Sequence, residues 1–480
     1  MYWNRATIRL AIAAGLTFGA GVQSAQADPI PAGSFSKNLE AVGYTDLDGL
    51  RGFKLAIKEH KGKWYLYTGM RTGGWLIIDV TNPRAPKYLK KIAGPLNTNT
   101  AQVSLHGNLL ITAVQVGINP DWDPSPNNPL SRMTDVTAQH KPYDKSKPYE
   151  EGVYLWDIAD PVNPKLLSHW MAGSKGTSEQ HRASYTGGRY AYLCSEKPGY
   201  KGKLLIILDV SNPKKPKEAG VWSNPEQKLP AGSPEMDTND GCHGPPMMSP
   251  DGKMAVEAYT PNLINLDMTD VANPKLIGHL QFIPPFQVTR GKDPHARHLH
   301  SALPLWEKGI VVVSSEISNY GCGEEGADFL ALVDNKDPQY PKLMSILPHP
   351  SPSPEEGIKS YCDKGGFVGW HNLNQETHSP DVLVPNSLIF VTAFNAGLRV
   401  FDISQPYNPS EVGYFVPPRP TKRTGWAPSK ELVNATDDVL VDRRGYIYIS
   451  DKQWGIHILR FTGRIPEDEV KELHDLSEEK

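Results

Sequence analysis

Cysteine is scarce in this chain: four residues in 480, which allows at most two disulfides. Charge of either sign is also lacking in excess. The formal net charge is only −3, so the composition gives no hint of nucleic-acid binding. There is no nucleophile elbow, no phosphate-binding P-loop and no dinucleotide fingerprint. The one apolar run of note, Leu10 to Gly21, is too short and too glycine-rich to span a bilayer, so no membrane span is expected. What the chain has in plenty is Gly (42) and Pro (43), spread as the turn residues of many short strands.

The first 27 residues read as an export signal. Arg5 and Arg9 supply the positive start, and Ala25-Gln-Ala27 is a small-residue cleavage site before Asp28. The arginines are not adjacent, which favours general secretion over twin-arginine export. The expectation is a periplasmic or secreted protein. In such an oxidising setting the four cysteines default to disulfides. Cys322–Cys362 is the favoured pair, because both lie in long insertions flanking one repeat. Cys194 and Cys242 then pair or stay free.

The repeat is the main signal. Leu204-Leu-Ile-Ile-Leu-Asp209-Val-Ser-Asn-Pro213 is one copy, and Gly397-Leu-Arg-Val-Phe-Asp402-Ile-Ser-Gln-Pro406 is another. Others end their strand at Asp79, Asp157, Asp267 and Asp334, and Gly455 to Phe461 keeps the strand but loses the turn. Each strand is apolar on both faces, as for a strand buried between sheets. The Asp can accept from backbone N–H groups of the turn, and the Pro ends the pairing. The phrase resembles the LVIVD repeat, over residues 36 to 462, and that resemblance implies a β-propeller. Leu39 to Thr45 looks like the outer strand after each turn, yet it precedes the first repeat. Placing residues 38–46 in the last blade closes the ring. The expected fold is all-β: a seven-bladed β-propeller over 28–464, after the signal peptide 1–27 and before a charged tail, 465–480. Two insertions, Gly117 to Glu151 and Leu347 to Trp370, would cover one face or merely decorate it. The tail is expected to be a frayed helix or disordered.

Aligned blade openings place a histidine at one position in four successive blades: His181, His243, His300 and His378. Inner strands line a propeller's channel, so these four imidazoles should converge and hold one transition-metal ion. A single such His would more often be a hydrogen-bonded channel residue; four in register are what point to metal. Blade two has Ala101 there, and blade seven has Ala435 before Asp437 and Asp438. His295, His298, His371 and Arg182 are candidates for supporting the ligands or touching substrate. Asp437 and Arg297 are the candidate acid–base and anion-receiving groups. Glu179, Glu257 and Glu316 could orient imidazole N–H groups, although exposed strand carboxylates are the commoner case.

The histidine arrangement is similar to carotenoid-cleavage-type oxygenases, which hold iron with four histidines, and to selenium-binding, methanethiol-oxidase-type propellers, associated with copper. That similarity implies copper or iron ahead of zinc, a small-molecule substrate, and dioxygen as co-substrate. Two other readings stand beside it: a non-enzymatic interaction propeller, and a zinc-dependent hydrolase or lyase.

Overall fold

The computed structural model describes residues 27–478 apart from 72, 96, 117–147, 175, 177, 232, 234–240, 245, 283–296, 318–327 and 423–430. The export signal and most of the first insertion therefore lie outside the described residues. Within them, seven antiparallel sheets form a β-propeller.

The repeat strands do what their composition demands. In blade three, Leu204–Asp209 is buried up to its final Asp. Leu204, Ile206 and Leu208 enter the apolar layer shared with blade two. Leu205 and Ile207 enter the layer shared with blade four. A strand wetted on neither face has to be apolar at every position. Burying five such side chains is worth roughly 10 kcal/mol, an upper estimate.

The repeat Asp closes an Asx turn in all six copies. Oδ1 of Asp79, Asp157, Asp209, Asp267, Asp334 and Asp402 accepts from the N–H two residues on, at 2.8–3.1 Å.

Ring closure is as the sequence indicates. Leu39–Thr45 pairs antiparallel with Ile456–Phe461, in a sheet completed by Thr436–Val441 and Ile447–Asp451. Gly43 in that strand matches Gly220 in blade three. A Cβ on Gly220 would lie 1.8 Å from the Val271 carbonyl oxygen of blade four, and one on Gly43 would lie 1.9 Å from that of Pro83 in blade one. Both glycines let the next blade's turn press onto the sheet. The arm also reaches further than expected, since Phe35–Lys37 pairs with Ser410–Val416 of blade six.

Blade six departs from the expected count. Its inner strand runs through residues 371–375: His371 N–H donates to Thr392 O at 2.9 Å, and Asn374 N–H to Phe390 O at 3.2 Å. Residues 376–386 then make a detour before Leu388–Thr392. Counting back from the repeat through a short hairpin lands on His378, which is seven residues too late.

The second insertion is packed structure. Trp370 and Tyr361 are buried, and Asn395 Nδ2 donates to the carbonyls of Tyr361 and Gly365 at 2.8 Å. The tail is also docked. It forms a helix, Lys471–Glu478, and Glu469 accepts from the N–H groups of Asn386, Ser387 and Leu388 at the edge of blade six. Those N–H groups need a partner, and the carboxylate supplies one.

Cys194 and Cys242 form a disulfide with Cα atoms 5.2 Å apart, linking blades three and four. Cys362 is also disulfide-bonded. Its expected partner, Cys322, lies outside the described residues.

His457 makes a stability prediction. Its ring is fully buried against Tyr44 and Phe415, and neither ring nitrogen has a hydrogen-bond partner among the described residues. Desolvation lowers its pKa to about 3. As pH falls below about 6.5 the unfolded chain binds this proton first, so stability present at neutral pH is lost progressively towards pH 3. His457→Leu should remove that dependence, gaining about 2–3 kcal/mol over the parent between pH 7 and pH 4.5. Melting curves at the two pH values check this; an unchanged acid sensitivity would contradict it.

Candidate metal centre

The inner strands share a device at one level of the channel. The ladder between the first two strands of blade three skips His181, that of blade five skips His300, and that of blade seven skips Asp437. In blade four, the N–H groups of His243 and Gly244 both donate to Ala258 O at 3.2 Å. Each is a β-bulge, which bends the strand and re-aims the extra residue's side chain. The bulge turns these side chains towards the axis.

The result is a file of four imidazoles. Ring centroids are 4.4 Å apart for His181 and His243, 4.8 Å for His243 and His300, and 4.4 Å for His300 and His371. His181, His243 and His300 are thus brought together as expected. The fourth ring is His371, and this corrects the assignment of His378. His378 Nε2 instead lies 3.4 Å from Glu376 Oε2 and 3.4 Å from Ser104 Oγ.

Glu316, from the second strand of blade five, reaches the same point. Its Oε2 is 3.6 Å from Nε2 of both His243 and His300, and its Oε1 is 3.6 Å from Nε2 of His371. Ligand bonds of about 2.1 Å in a tetrahedron put neighbouring donor atoms about 3.4 Å apart. The observed separations fit that edge.

The tautomers fit as well. His371 Nδ1–H donates to the carbonyl of Asp437, which leaves the Nε2 lone pair facing Glu316. His300 Nδ1 lies 2.9 Å from Ser301 Oγ, and its Nε2 receives a hydrogen bond from Arg182 Nη2 at 2.7 Å. That lone pair is taken by the guanidinium, which an ion bound through His300 Nε2 would have to displace. His181 Nε2 is buried with no hydrogen-bond partner among the described residues. Burial holds all four imidazoles below their ordinary range, His371 to about 3, so they are neutral donors. Among these residues, His243, His300 and Glu316 have ligand atoms within 4.8 Å of one another and fit a transition-metal ion.

The remaining expectations fall out as follows. Arg182 is buried and occupied, donating also to Asn372 Oδ1 (3.0 Å) and Gln375 Oε1 (3.3 Å). The Asp437 carboxylate is held by Lys452 inside the protein, so its backbone carbonyl is what touches the cluster. Asp438 pairs with Lys54 at 3.2 Å and accepts from Leu55 N–H. Arg297 and His298 lie in the inner strand of blade five, Arg297–Leu305, with side chains outside the described residues. His295 lies wholly outside them. Glu179 is partly exposed and 3.6 Å from Lys203. Glu257 is no exposed strand carboxylate. It is fully buried 4.0 Å from Cys194 Sγ, and desolvation drives its pKa well up. Cys194, Cys242 and Glu257 cluster closely enough to suggest a second metal site, but both sulfurs are spent in the disulfide. That disulfide holds the residue just before His243.

A cavity of about 50 Å³ adjoins the cluster, bounded by His181, His300, Glu316 and His371 and also by Phe53 and Arg71. Phe53 and Arg71 come from blade one, which carries no histidine signal, and sequence reading missed both. Glu316 gave a weak signal, as a carboxylate in the strand partnering His300.

The LVIVD repeat family matches residues 61–91, 187–223 and 378–416, so the chain carries LVIVD repeats in blades one, three and six. No curated protein matches the sequence. Among solved structures, a hypothetical selenium-binding protein from Sulfolobus tokodaii is similar over 84% of this chain and 83% of its own, at 12% identity and a TM-score of 0.50. The periplasmic gluconolactonase of Pseudomonas aeruginosa is similar over 89% of this chain and 100% of its own, at 9% identity and a TM-score of 0.47. At 12% identity the likeness to the selenium-binding protein is one of fold.

Proposed function

We propose that this propeller is a periplasmic or secreted metal-dependent oxidoreductase that acts on a small organic molecule at the axial histidine cluster. One observation carries the reading: four neutral imidazoles stand in file, with a single carboxylate 3.6 Å from three of their Nε2 atoms. His243, His300 and Glu316 would hold the ion, with His371 at the other oxygen of Glu316 and His181 beside His243. A bound iron or copper ion would supply one-electron chemistry and a place for dioxygen. The chain's own residues do the rest. Asp437 O and Ser301 Oγ orient the imidazole rings of His371 and His300. Glu316 makes the donor set mixed rather than purely imidazole, which weights the choice towards iron over copper. Zinc suits the same nitrogen and oxygen donors, so a hydrolase or lyase is the second reading.

Glu316→Gln tests the carboxylate's part. The substitution keeps shape and removes charge, so metal affinity should fall at least ten-fold while the melting temperature of the metal-free protein stays within a few degrees. Undiminished affinity in a competition assay with a chelator would remove Glu316 from the site.

A further inference from the structure

His243 has little backbone pairing to hold it. The inner strands of blades three, five and seven are continuous runs of six, nine and six residues: Gln180–Tyr185, Arg297–Leu305 and Thr436–Val441. That of blade four is in two pieces of two residues each, Gly241–Cys242 and Met247–Met248. Both pieces pair with Met254–Thr260, but the five steps from Cys242 to Met247 answer only three from Tyr259 to Val256. His243 lies in the excess. Its N–H shares the carbonyl of Ala258 with the N–H of Gly244, each at 3.2 Å, so two donors divide one acceptor.

The disulfide makes up this deficit. Cys242 is the residue before His243, and its partner, Cys194, pairs opposite Arg182, the residue after His181. Gln180 Nε2 donates to Cys194 O at 2.8 Å, which ties the residue before His181 to the same point. The bond therefore joins blade three, opposite the His181 bulge, to blade four at the start of the His243 bulge. The two rings it controls have centroids 4.4 Å apart. Cys242 N–H also donates across the blade boundary to Lys203 O at 3.0 Å, but one hydrogen bond contributes little beside a covalent link.

The surroundings let the fold outlast the bond. Cys194 Sγ lies 3.4 Å from Gly244 O and 4.0 Å from Glu257 Oε1, and Cys242 Sγ lies 3.9 Å from Gly244 O. Two thiols, or two hydroxyls in their place, would find acceptors where they stand. Loss of the bond then frees His243 while the apolar layer between the two blades stays packed.

We infer that the Cys194–Cys242 disulfide is the positioning link of the metal centre: it sets His243 against His300 and Glu316, and the oxidised chain holds the ion more tightly than the reduced one. This rests on the metal reading above. A loosely held ligand must be ordered when the ion binds, and that entropy is subtracted from the affinity; a covalent link orders it beforehand. In an exported chain, oxidation then precedes tight metal loading.

Cobalt(II) titrations of the full chain, followed by the visible spectrum, test the link. Cys194→Ser combined with Cys242→Ser should bind cobalt at least ten-fold more weakly than the parent, and with a displaced d–d band. Gly43→Val, which loosens blade seven, is the control for lost stability alone: its melting temperature should fall while cobalt affinity and band position stay at the parent's. Should the serine pair fail to fold, one glycine inserted between Cys242 and His243 keeps the disulfide, frees the histidine and should weaken cobalt to the same degree. Parental affinity in the serine pair or in the insertion, or a loss that Gly43→Val reproduces, overturns the inference and leaves the metal centre standing. Failure of the parent chain to take up cobalt overturns the metal reading with it.

Discussion

His371→Ala is expected to abolish stoichiometric metal binding, and His378→Ala is expected to leave it intact. His371 is 3.6 Å from Glu316 through the nitrogen that its hydrogen bond to Asp437 O keeps unprotonated. Removing one donor from such a set should weaken the ion by more than 100-fold, about 3 kcal/mol. The fold should survive, because the strand bearing His371 is held by backbone bonds to Thr392 and Phe390 that alanine keeps. His378 touches Glu376 and Ser104 instead. Its loss should cost only about 1–3 kcal/mol of stability, from the hydrogen bond that Glu376 forfeits. Metal counting on the two purified variants decides the matter. Loss in His378→Ala alone would restore the simpler assignment by repeat alignment, and full occupancy in His371→Ala would remove His371 from the site.

The second large effect concerns closure of the ring. A chain lacking residues 28–46 should melt more than 10 °C below the parent, or fail to remain soluble. Leu39, Val42 and Tyr44 are buried in that strand, and it pairs along its length with Ile456–Phe461, interrupted by one bulge at Val42. Three buried side chains and a ladder of backbone bonds are together worth about 10 kcal/mol as an upper estimate. The deletion also bares the edge of blade seven, a template for association between chains. Gly43→Val should act in the same direction but more weakly, because a side chain there meets the Pro83 carbonyl. An unshifted transition in the deletion would show that the ring does not depend on this strand.

What the sequence disclosed, it disclosed through local chemistry. An apolar run ending in Asp and then Pro forces a buried strand and an Asx turn, and Asp79 through Asp402 make that turn without exception. The misplaced N-terminal strand was legible because Gly43 and its neighbours repeat the outer-strand phrase around Gly413. The site was legible only in part. His181, His243 and His300 follow short connections to their repeats, so counting finds them. His371 is hidden by the detour at residues 376–386, whose length no periodicity predicts. Glu316 depends on the pairing of two strands across the bulge at His300, a register that no local pattern encodes. Arg71 and Phe53 reach the cluster by ring closure, which brings the first blade round to the sixth and seventh.

The most direct test of the central claim is the metal content of the protein, exported to a periplasm and purified without metal-chelating or imidazole steps, with electron paramagnetic resonance on the same sample. About one iron or copper per chain, with a signal from nitrogen-rich coordination that His371→Ala eliminates, is the result expected here. One zinc per chain would transfer the assignment to hydrolytic or lyase chemistry. No metal, even after reconstitution with each ion in turn, would contradict the account and leave a binding propeller with histidines in its channel.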